Sequence, residues 1–367
     1  MTRYLETVVN KSFYAITLRY TKKKMVANSI VSNLFQIYCI DAEKARENLY
    51  EDETGPNKVL IGGGTGFIGT ELCKTLKRKG YKAVIVSRTP SGRGEADRIT
   101  YADLKEFGLP QNTKAIVNLA GQNVLDFFNR WTDTFKTKVY DSRINTANAF
   151  KEAIESSPKE HRPEVFVQIT GVGYFPPSND IIYNENTMVE DSKRDYFSRL
   201  VQDWESAATL SPSSGVRNVF VRPAVVLGRQ GGMIQQIFLP FFMGVGGRMG
   251  AGTQPMAWIH VKDLCGIILH AVETDEVEGV LNAVAPQIIT NQEFVSAFGS
   301  ALHRPVFFPL PDTVWNLVFG QERATMITKG QKVTPTRTQE SGYIFRFPTI
   351  SEACQEFSQL VYQDVDE

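Results

Sequence analysis

A short apolar run that breaks into glycines and restarts as a helix constrains this chain more than any other feature. Residues 58–61 are typical of a buried strand, and Gly63, Gly66 and Gly69 follow at intervals of three. Such glycines allow a tight turn, a close approach of the backbone to a pyrophosphate, and close packing of helix on strand. A helix over residues 70–79 would direct its partial positive end at the phosphates. The stretch therefore predicts a dinucleotide-binding loop.

The next strand narrows the choice of dinucleotide. An apolar run over residues 83–86 ends in Ser87-Arg88-Thr89. Arg88 lies where NAD-binding proteins usually carry an acid that holds the ribose 2′-hydroxyl, and an arginine there accommodates a 2′-phosphate. Because the planar guanidinium suits phosphate oxygens, the sequence favours NADP(H) as cofactor over NAD(H). A solvated arginine at a strand end is the alternative.

Length and charge exclude several classes of function. The chain has 367 residues, of which 40 are basic and 40 acidic, so its formal net charge is zero. That length suits one large domain or two, and a neutral chain without a basic stripe argues against nucleic acid as a partner. The four cysteines are scattered without metal or redox spacing, which predicts reduced thiols in an intracellular protein and no metal site. The longest uncharged stretch, residues 230–247, carries glutamines, a proline and glycines, so no membrane span is expected.

The first 57 residues form a separate N-terminal extension in this interpretation. Residues 1–40 are basic and carry a single acid, Glu6, a composition typical of a mitochondrial transit peptide. A poorly ordered extension, or a start codon assigned too far upstream, is the alternative, and the protein would then be cytoplasmic. Residues 41–57 turn acidic and end in Gly-Pro-Asn, which predicts a linker. We expect the whole extension to be dispensable for the fold.

From residue 58 onward, apolar runs of strand and helix type alternate. The predicted strands cover residues 58–61, 83–86, 115–118, 165–169, 218–222 and 279–283, and the predicted helices cover residues 70–79, 134–156, 195–210, 261–273 and 291–302. Short connections between them favour a parallel sheet with helices on both faces. We therefore expect an α/β fold, a Rossmann-type doubly wound parallel sheet over residues 58–309, with a small, mostly helical C-terminal cap over residues 310–362.

Several further motifs converge on one family. The stretch Asn-Leu-Ala-Gly at 118–121 ends a strand, and Ser-Arg-Ile follows at 142–144. The runs at 222–228 and 258–264 are similar to the extended, epimerase-like branch of the short-chain dehydrogenases/reductases. The stretches at 320–324 and 330–333 resemble the uncharacterised C-terminal domain of that branch. The resemblance runs from about residue 58 to 357 and implies a Rossmann domain with bound NADPH.

The resemblance also assigns the cofactor-binding residues. Gly63, Thr65, Gly66, Phe67, Ile68 and Gly69 would line the pyrophosphate, Ser87 and Arg88 would hold the 2′-phosphate, and Leu119, Ala120 and Gly121 would pass alongside the adenosine and ribose. Lys138 and Arg143 could reach the cofactor from the following helix, although a solvated helix face is an equal alternative for Lys138. Val226 would sit near the nicotinamide, with ordinary core packing as its alternative.

The proton-transfer residues are where the chain departs from the superfamily. Reductases of this kind use a serine or threonine and then Tyr-x-x-x-Lys, in which the lysine lowers the pKa of the tyrosine and binds the nicotinamide ribose. Thr170, at a strand end, fits the first position. Aligned on Glu205, the tyrosine and lysine positions read Phe197 and Val201, which carry neither a transferable proton nor a charge. Tyr174 is the expected substitute acid, and a tyrosine packed under the loop is the alternative.

Two functions follow from these residues. The first is an NADP(H)-dependent oxidoreductase with a non-standard proton donor, acting on a small molecule that the sequence does not identify. The second is a protein that binds NADPH without turnover, as a sensor or scaffold. His260 or Lys262 could serve an acidic group of a substrate, although for His260 a hydrogen-bonding role at a helix start is favoured. Tyr183 also lies close to Thr170, but a threonine stands where its lysine would be.

Overall fold

The computed structural model describes residues 49–52, 54–89, 97–124, 130–306 and 328–359. The strands are β1 (Lys58–Gly62), β2 (Lys82–Ser87), β3 (Arg98–Thr100), β4 (Thr113–Asn118), β5 (Val165–Ile169), β6 (Ser178–Tyr183), β7 (Arg217–Pro223), β8 (Val225–Gly228), β9 (Pro255–Met256), β10 (Trp258–His260), β11 (Gly279–Ala283), β12 (Ile289–Thr290) and β13 (Gln331–Val333). The helices are α1 (Phe67–Arg78), α2 (Tyr101–Phe107), α3 (Asp133–Ser156), α4 (Tyr196–Ala208), α5 (Gly232–Phe242), α6 (Val261–Glu273), α7 (Asn291–Ala301), α8 (Thr336–Glu340) and α9 (Ile350–Ser358).

Seven parallel strands form the central sheet in the order β11-β7-β5-β4-β1-β2-β3. The chain first moves from β1 through β2 to β3 at one edge. It then returns to β4 and moves toward β11 at the other edge, so the order reverses between β1 and β4. This doubly wound arrangement confirms the predicted Rossmann-type α/β fold, and its switch point lies where such sheets bind ligands.

Helices cover both faces of this sheet because its strands alternate the direction of their side chains. In β1, Val59 and Ile61 pack with α1 and α6 on one face, whereas Leu60 packs on the other. That second face is covered by α2, α3 and α4, which bury Phe150 and Trp204 against it. The two apolar layers fix the carboxyl ends of β1, β4 and β5 beside one another, at the edge where a ligand is expected.

The C-terminal part of the chain contains both helix and strand. Helix α9 packs with α5 and α7 around a third apolar cluster, and β13 pairs with β6, so that Val333 lies opposite Tyr183. Of the predicted cap, residues 310–327 and 360–362 lie outside the described residues. The described part contains helices α8 and α9, in agreement with the expected helical region, and β13 joins it to the main body as a strand.

The segment just before β1 belongs to the fold, contrary to its predicted role as a dispensable linker. Leu49 is 1% exposed and packs in the cluster under α2 and α3. The Lys58 side chain is buried, and its Nζ donates to the backbone oxygens of Asp52 at 2.7 Å and Gln111 at 2.8 Å. The fold therefore reaches back at least to Leu49. Residues 1–48, with the predicted transit peptide, lie outside the described residues.

Within the described ranges, no helix is both long and apolar enough to cross a membrane.

Candidate functional site

The glycine loop has the geometry that its spacing predicts. Gly63 has a φ of 77°, in the left-handed region that favours glycine. The N–H of Gly66 donates to the oxygen of Gly63 at 3.1 Å, which closes the turn. A Cβ at Gly69 would lie 2.5 Å from that same oxygen, so helix α1 could not pack so close to the loop with any larger residue. The loop is a tight turn that leads directly into the helix.

The start of α1 is open toward the carboxyl edge of the sheet. Gly66 is the N-cap and has no side chain, so within the described residues no N-cap side chain accepts from the first turn of the helix. A Cβ at Gly63 would lie 3.0 Å from the carbonyl carbon of Leu119 and the nitrogen of Ala120. The loop thus runs against the end of β4. Free N–H groups and the helix dipole at this point suit a phosphate group.

Phe67, the first residue of α1, packs against a wall of glycines. Cβ atoms at Gly228, Gly231 and Gly232 would lie 2.6, 2.4 and 3.3 Å from atoms of its ring. Val226, a predicted cofactor residue, lies two residues before Gly228 in β8, and a Cβ at Gly232 would lie 3.2 Å from its backbone oxygen. The strand that carries Val226 therefore ends against the ring of Phe67.

The predicted 2′-phosphate residues lie on the other side of the loop. Ser87 ends β2, and Arg88 follows it with an exposed side chain. Gly62, the last residue of β1, is paired with Val86 of β2. Arg88 comes two residues after Val86 and so lies just beyond the carboxyl ends of both strands. Arg88 is therefore placed on the β2 side of the glycine loop, opposite β4 and β5.

The two candidate catalytic residues are brought together by an ion pair that sequence reasoning missed. Thr170 donates its hydroxyl to Oε1 of Glu205 at 3.1 Å. Glu205 in turn accepts two hydrogen bonds of 2.7 Å from the guanidinium of Arg222. That guanidinium lies 3.5 Å from the centre of the Tyr174 ring, which is 9% exposed. One part-buried network therefore links the residues that follow β5 with α4 and β7.

The sequence marks the positions of Glu205 and Arg222 but not their pairing. Glu205 lies eight residues after Phe197 and so falls on the same face of α4, and Arg222 opens one of the family motifs. Neither residue belongs to Tyr-x-x-x-Lys, and a carboxylate on a helix does not reveal its partner on a strand.

Phe197 and Val201 occupy the places that the alignment on Glu205 assigns to the missing tyrosine and lysine. Both side chains are buried, and a Cβ at Gly173 would lie 3.7 Å from Cβ of Phe197 and 3.9 Å from a methyl carbon of Val201. The Phe197 ring also stacks on Trp131, with ring centres 5.8 Å apart. An apolar wall thus replaces the usual acid and cation at this point.

The other tyrosines are less well placed. Tyr183 is 4% exposed and stacks on Phe175, with ring centres 4.9 Å apart and burial raising the pKa of its phenol. Tyr196 faces α3 and donates its hydroxyl to the oxygen of Lys136 at 3.4 Å. Both rings have structural neighbours that account for their positions.

The structure places His260 and Lys262 against the C-terminal segment, not in the candidate site. The His260 ring lies between Phe347 and Phe357, with ring centres at 3.9 and 5.2 Å. Its Nδ1 accepts from the N–H of Lys262 at 3.1 Å, and its Nε2 lies 3.5 Å from Glu356. The Lys262 ammonium is 3.9 Å from the same carboxylate. His260 therefore has the favoured structural role, a hydrogen bond at the start of a helix.

Of the two basic residues on α3 that were predicted to reach the cofactor, one faces solvent and one packs at the end of β4. Lys138 is exposed. The guanidinium of Arg143 packs against Gly121, with its Cζ 3.3 Å from the position that a Cβ on that glycine would take. Arg143 is therefore held beside the end of β4, close to Leu119 and Ala120.

A doubly wound sheet with a glycine loop at its switch point defines a Rossmann-type dinucleotide-binding protein. Comparison with known proteins makes this specific, because residues 59–283 match the model of the NAD dependent epimerase/dehydratase family. The chain belongs to that family. Residues 310–357 match a second model, described as a domain of unknown function (DUF1731).

Individual relatives agree with the family assignment. The chain is 47% identical over 300 residues to epimerase family protein SDR39U1 of Bos taurus, covering 82% of this chain and 99% of that protein. It is 34% identical over 309 residues to the chloroplastic SDR39U1 homolog of Arabidopsis thaliana, covering 82% of this chain and 86% of that protein. Among solved structures, human SDR39U1 (isoform 2) with NADPH is similar at a TM-score of 0.79 and 45% identity, over 83% of this chain and all of that one. The resemblance read from the sequence motifs is confirmed.

Proposed function

We propose that this protein is an NADP(H)-dependent oxidoreductase of the epimerase-like branch in which Tyr174 replaces the missing tyrosine of Tyr-x-x-x-Lys. The observation that carries the proposal is the network of Thr170, Glu205, Arg222 and Tyr174 at the end of β5, beside an open glycine loop. The similar human protein whose crystal structure contains NADPH supports the choice of cofactor. The proposed substrate is a small molecule with a carbonyl group.

The residues around the loop fit NADPH. The open start of α1 and Gly63, Gly66 and Gly69 form a cradle that a side chain would fill, which suits the pyrophosphate. Thr65, Phe67 and Ile68 complete this loop. We assign the 2′-phosphate to Ser87 and Arg88 on the β2 side. NADPH bound here supplies a hydride.

The chain's own groups would orient the substrate and move the proton. The Thr170 hydroxyl donates a hydrogen bond to Glu205. The hydroxyl oxygen therefore remains able to accept a hydrogen bond from a hydroxyl group of the substrate. Arg222 fixes Glu205 with two charge-assisted hydrogen bonds. The same guanidinium packs on the face of the Tyr174 ring. Tyr174 would donate its hydroxyl proton to a carbonyl oxygen as that oxygen gains charge. Because no lysine stands at position 201, reduction by a neutral tyrosine is favoured over oxidation, for which the phenol must first lose its proton.

A second candidate function is binding of NADPH without turnover, as a sensor or scaffold. The observation that favours it is the apolar wall of Trp131, Phe197 and Val201. This wall fills the space in which a reductase carries its acid and its cation.

Turnover of NADPH distinguishes the two functions. Purified protein is incubated with NADPH and a library of carbonyl metabolites, and loss of absorbance at the nicotinamide band is followed. Oxidation of NADPH that depends on one compound class supports the oxidoreductase. Tight binding of NADPH without oxidation by any member supports the sensor, and failure to bind NADPH contradicts both.

Location and domain limits complete the proposal. We retain a mitochondrial transit peptide within residues 1–40 as a hypothesis, which fusion of residues 1–57 to a fluorescent reporter would test. A diffuse cytosolic signal would reject it. The boundary between residues 309 and 310 and the end of the cap at residue 362 also remain predictions, and limited proteolysis of the full chain would locate them.

A further inference from the structure

Three large apolar side chains are exposed together at the C-terminal end of α5. Leu239, Met243 and Val245, which we call the α5 tip, are 60%, 60% and 53% exposed and lie within seven residues of sequence. Leu239 and Met243 are one helical turn apart and share a face. The opposite face of α5 buries Phe238 and Phe241 against α7. Single exposed apolar residues are common on proteins, whereas a group of them indicates an interaction site.

The turn after α5 holds the α5 tip in a defined conformation. Gly244 has a φ of 76°, and its N–H donates to the oxygen of Phe241 at 2.9 Å. The N–H of Val245 donates to the oxygen of Pro240 at 3.0 Å. A Cβ at Gly246 would lie 2.5 Å from the Phe241 ring, so the following chain packs closely on the helix. The apolar side chains are therefore presented by an ordered helix end.

The charges that accompany the α5 tip are positive. Aspartate and glutamate are absent from residues 206–262, which contain α5, and from residues 294–306, which contain most of α7 and the turn after it. Arg304, in that turn, donates from Nε to the backbone oxygen of Phe242 at 2.7 Å, and its Cζ lies 5.0 Å from the centre of the Phe242 ring. Arg248 is exposed in the loop that follows the tip. Apolar and basic side chains therefore occur together on this surface.

Area and charge together favour a lipid bilayer over a protein as the partner of this surface. Three exposed side chains offer at most a few hundred Å² of apolar area, whereas a stable protein interface buries about 800 Å² on each partner. A bilayer requires no matching shape, because apolar side chains enter the boundary between headgroups and acyl chains. Anionic headgroups attract arginines beside that boundary.

We propose that the α5 tip docks this protein on the surface of an anionic lipid bilayer. Leu239, Met243 and Val245 enter the headgroup boundary, and Arg248 and Arg304 lie against the anionic headgroups. This docking goes beyond the proposed oxidoreductase function and does not depend on it.

The candidate site stays accessible in the docked protein. Gly231 and Gly232, at the start of α5, pack on the ring of Phe67 beside the glycine loop. The α5 tip is at the other end of this helix of 11 residues, about 15 Å away. NADPH binding and bilayer docking therefore use opposite ends of α5.

Cosedimentation with lipid vesicles measures the docking. The full chain is mixed with sucrose-loaded vesicles of phosphatidylcholine and phosphatidylglycerol in equal parts, or of phosphatidylcholine alone, and the bound fraction is measured after centrifugation. We expect binding to the anionic vesicles and about tenfold weaker binding to the neutral ones. Binding to the anionic vesicles should weaken as salt is added, because salt screens the attraction.

Substitutions on the tip locate the contact. Leu239→Gln combined with Met243→Gln should lower the affinity for anionic vesicles about tenfold or more, because less apolar area is buried. Arg248→Gln should lower it about fivefold, with the difference fading at high salt. Met188→Gln combined with Ile344→Gln is the matched control, since both residues are largely exposed and lie outside α5 and α7. It should leave the affinity unchanged.

Three results would overturn the inference. The first is absence of binding by the wild-type protein. The second is unchanged binding in the Leu239→Gln, Met243→Gln protein, which would assign attachment to the basic residues 1–40, or an equal loss in the control. The third is a dimer, detected by light scattering without lipid, that this double substitution dissociates, because the tip would then bind a second copy of the chain.

Two further measurements keep the test decisive. If circular dichroism shows that the double substitution unfolds the chain, Arg248→Gln and the salt dependence of the wild-type protein decide: unchanged affinity in Arg248→Gln contradicts the docking, and the expected loss supports it. NADPH affinity, measured by calorimetry, should be the same in all these proteins. Loss of vesicle binding with intact NADPH affinity separates failure of the tip from failure of the proposed function.

Discussion

Arg88 and Tyr174 are the two residues on which the predicted cofactor preference and the proposed reaction depend. The sequence predicts Arg88 as the phosphate-binding residue, because an arginine at the end of this strand can accommodate a 2′-phosphate. It could not predict the Glu205–Arg222 pair, because the two residues are brought together only when α4 packs across β5 and β7. Nor could it predict that His260 faces Phe347 and Phe357, since that contact depends on where the C-terminal segment returns.

Cofactor preference gives the first prediction. Wild-type protein should bind NADPH more tightly than NADH, and Arg88→Asp should abolish or invert this preference. A charge-assisted contact to a phosphate contributes about 1.5–3 kcal/mol, so the change should exceed tenfold. Calorimetric titration with both cofactors measures it. Lys105→Asp makes the same charge change on an exposed residue of α2 and should leave the preference intact. Equal wild-type affinities for the two cofactors would contradict the assignment.

Tyr174 gives the second prediction, once a substrate is known. Tyr174→Phe should lower NADPH-dependent reduction by about 10²–10⁴-fold, because a positioned proton donor is lost. The ring and its contact with Arg222 remain, so NADPH affinity should be nearly unchanged. Tyr183→Phe is the control, since Tyr183 is stacked on Phe175 in the core. Full activity in Tyr174→Phe would show that the acid lies elsewhere.

At the scale of elements, apolar periodicity predicted the central strands and most helices. All six predicted strands agree with the structure within about two residues at each end, because buried parallel strands have continuous apolar runs in their sequence. The short two-stranded sheets were not predicted from the sequence. Strand β6 carries exposed Ile181 and Ile182 and pairs with β13, about 150 residues further along the chain. Helix α5 begins at a glycine and contains Pro240, two residues that normally argue against a helix.

The segment before β1 gives the third prediction. A chain that starts at Asn57 should be less stable than the full chain by about 2–5 kcal/mol, because it loses Leu49 from the core and one acceptor of Lys58. Thermal unfolding monitored by circular dichroism measures the difference. In the full chain, Leu49→Ala should reproduce most of the loss, whereas Glu51→Ala, on an exposed side chain, should not. Equal melting temperatures for the chain from Asn57 and the full chain would show that this segment is dispensable after all.

At the scale of the whole molecule, Asp263 joins the dinucleotide domain to the C-terminal segment. Its side chain is fully buried at the start of α6. Its carboxylate accepts from the N–H groups of Arg346 at 2.7 Å and Phe347 at 2.9 Å, and from the Tyr343 hydroxyl at 3.0 Å. Burial and the neighbouring Asp263 charge raise the pKa of that phenol, so it stays protonated and continues to donate. Thr338 adds a second buried polar contact between the two parts of the chain, because its hydroxyl donates to the backbone oxygen of Asn282 at 3.0 Å.

This connection predicts that the two parts unfold together. Asp263→Ala leaves two backbone N–H groups without their acceptor, which should cost about 3 kcal/mol or more. Because the contact is shared, the loss should lower the midpoint of one cooperative transition, and NADPH should raise that midpoint in both proteins by favouring the folded state. Asp275→Asn is the control, since Asp275 is 85% exposed and its ion pair with Arg217 contributes little. A calorimetric trace of Asp263→Ala with two separated transitions, only one of which responds to NADPH, would instead show that the C-terminal segment folds independently of the cofactor domain.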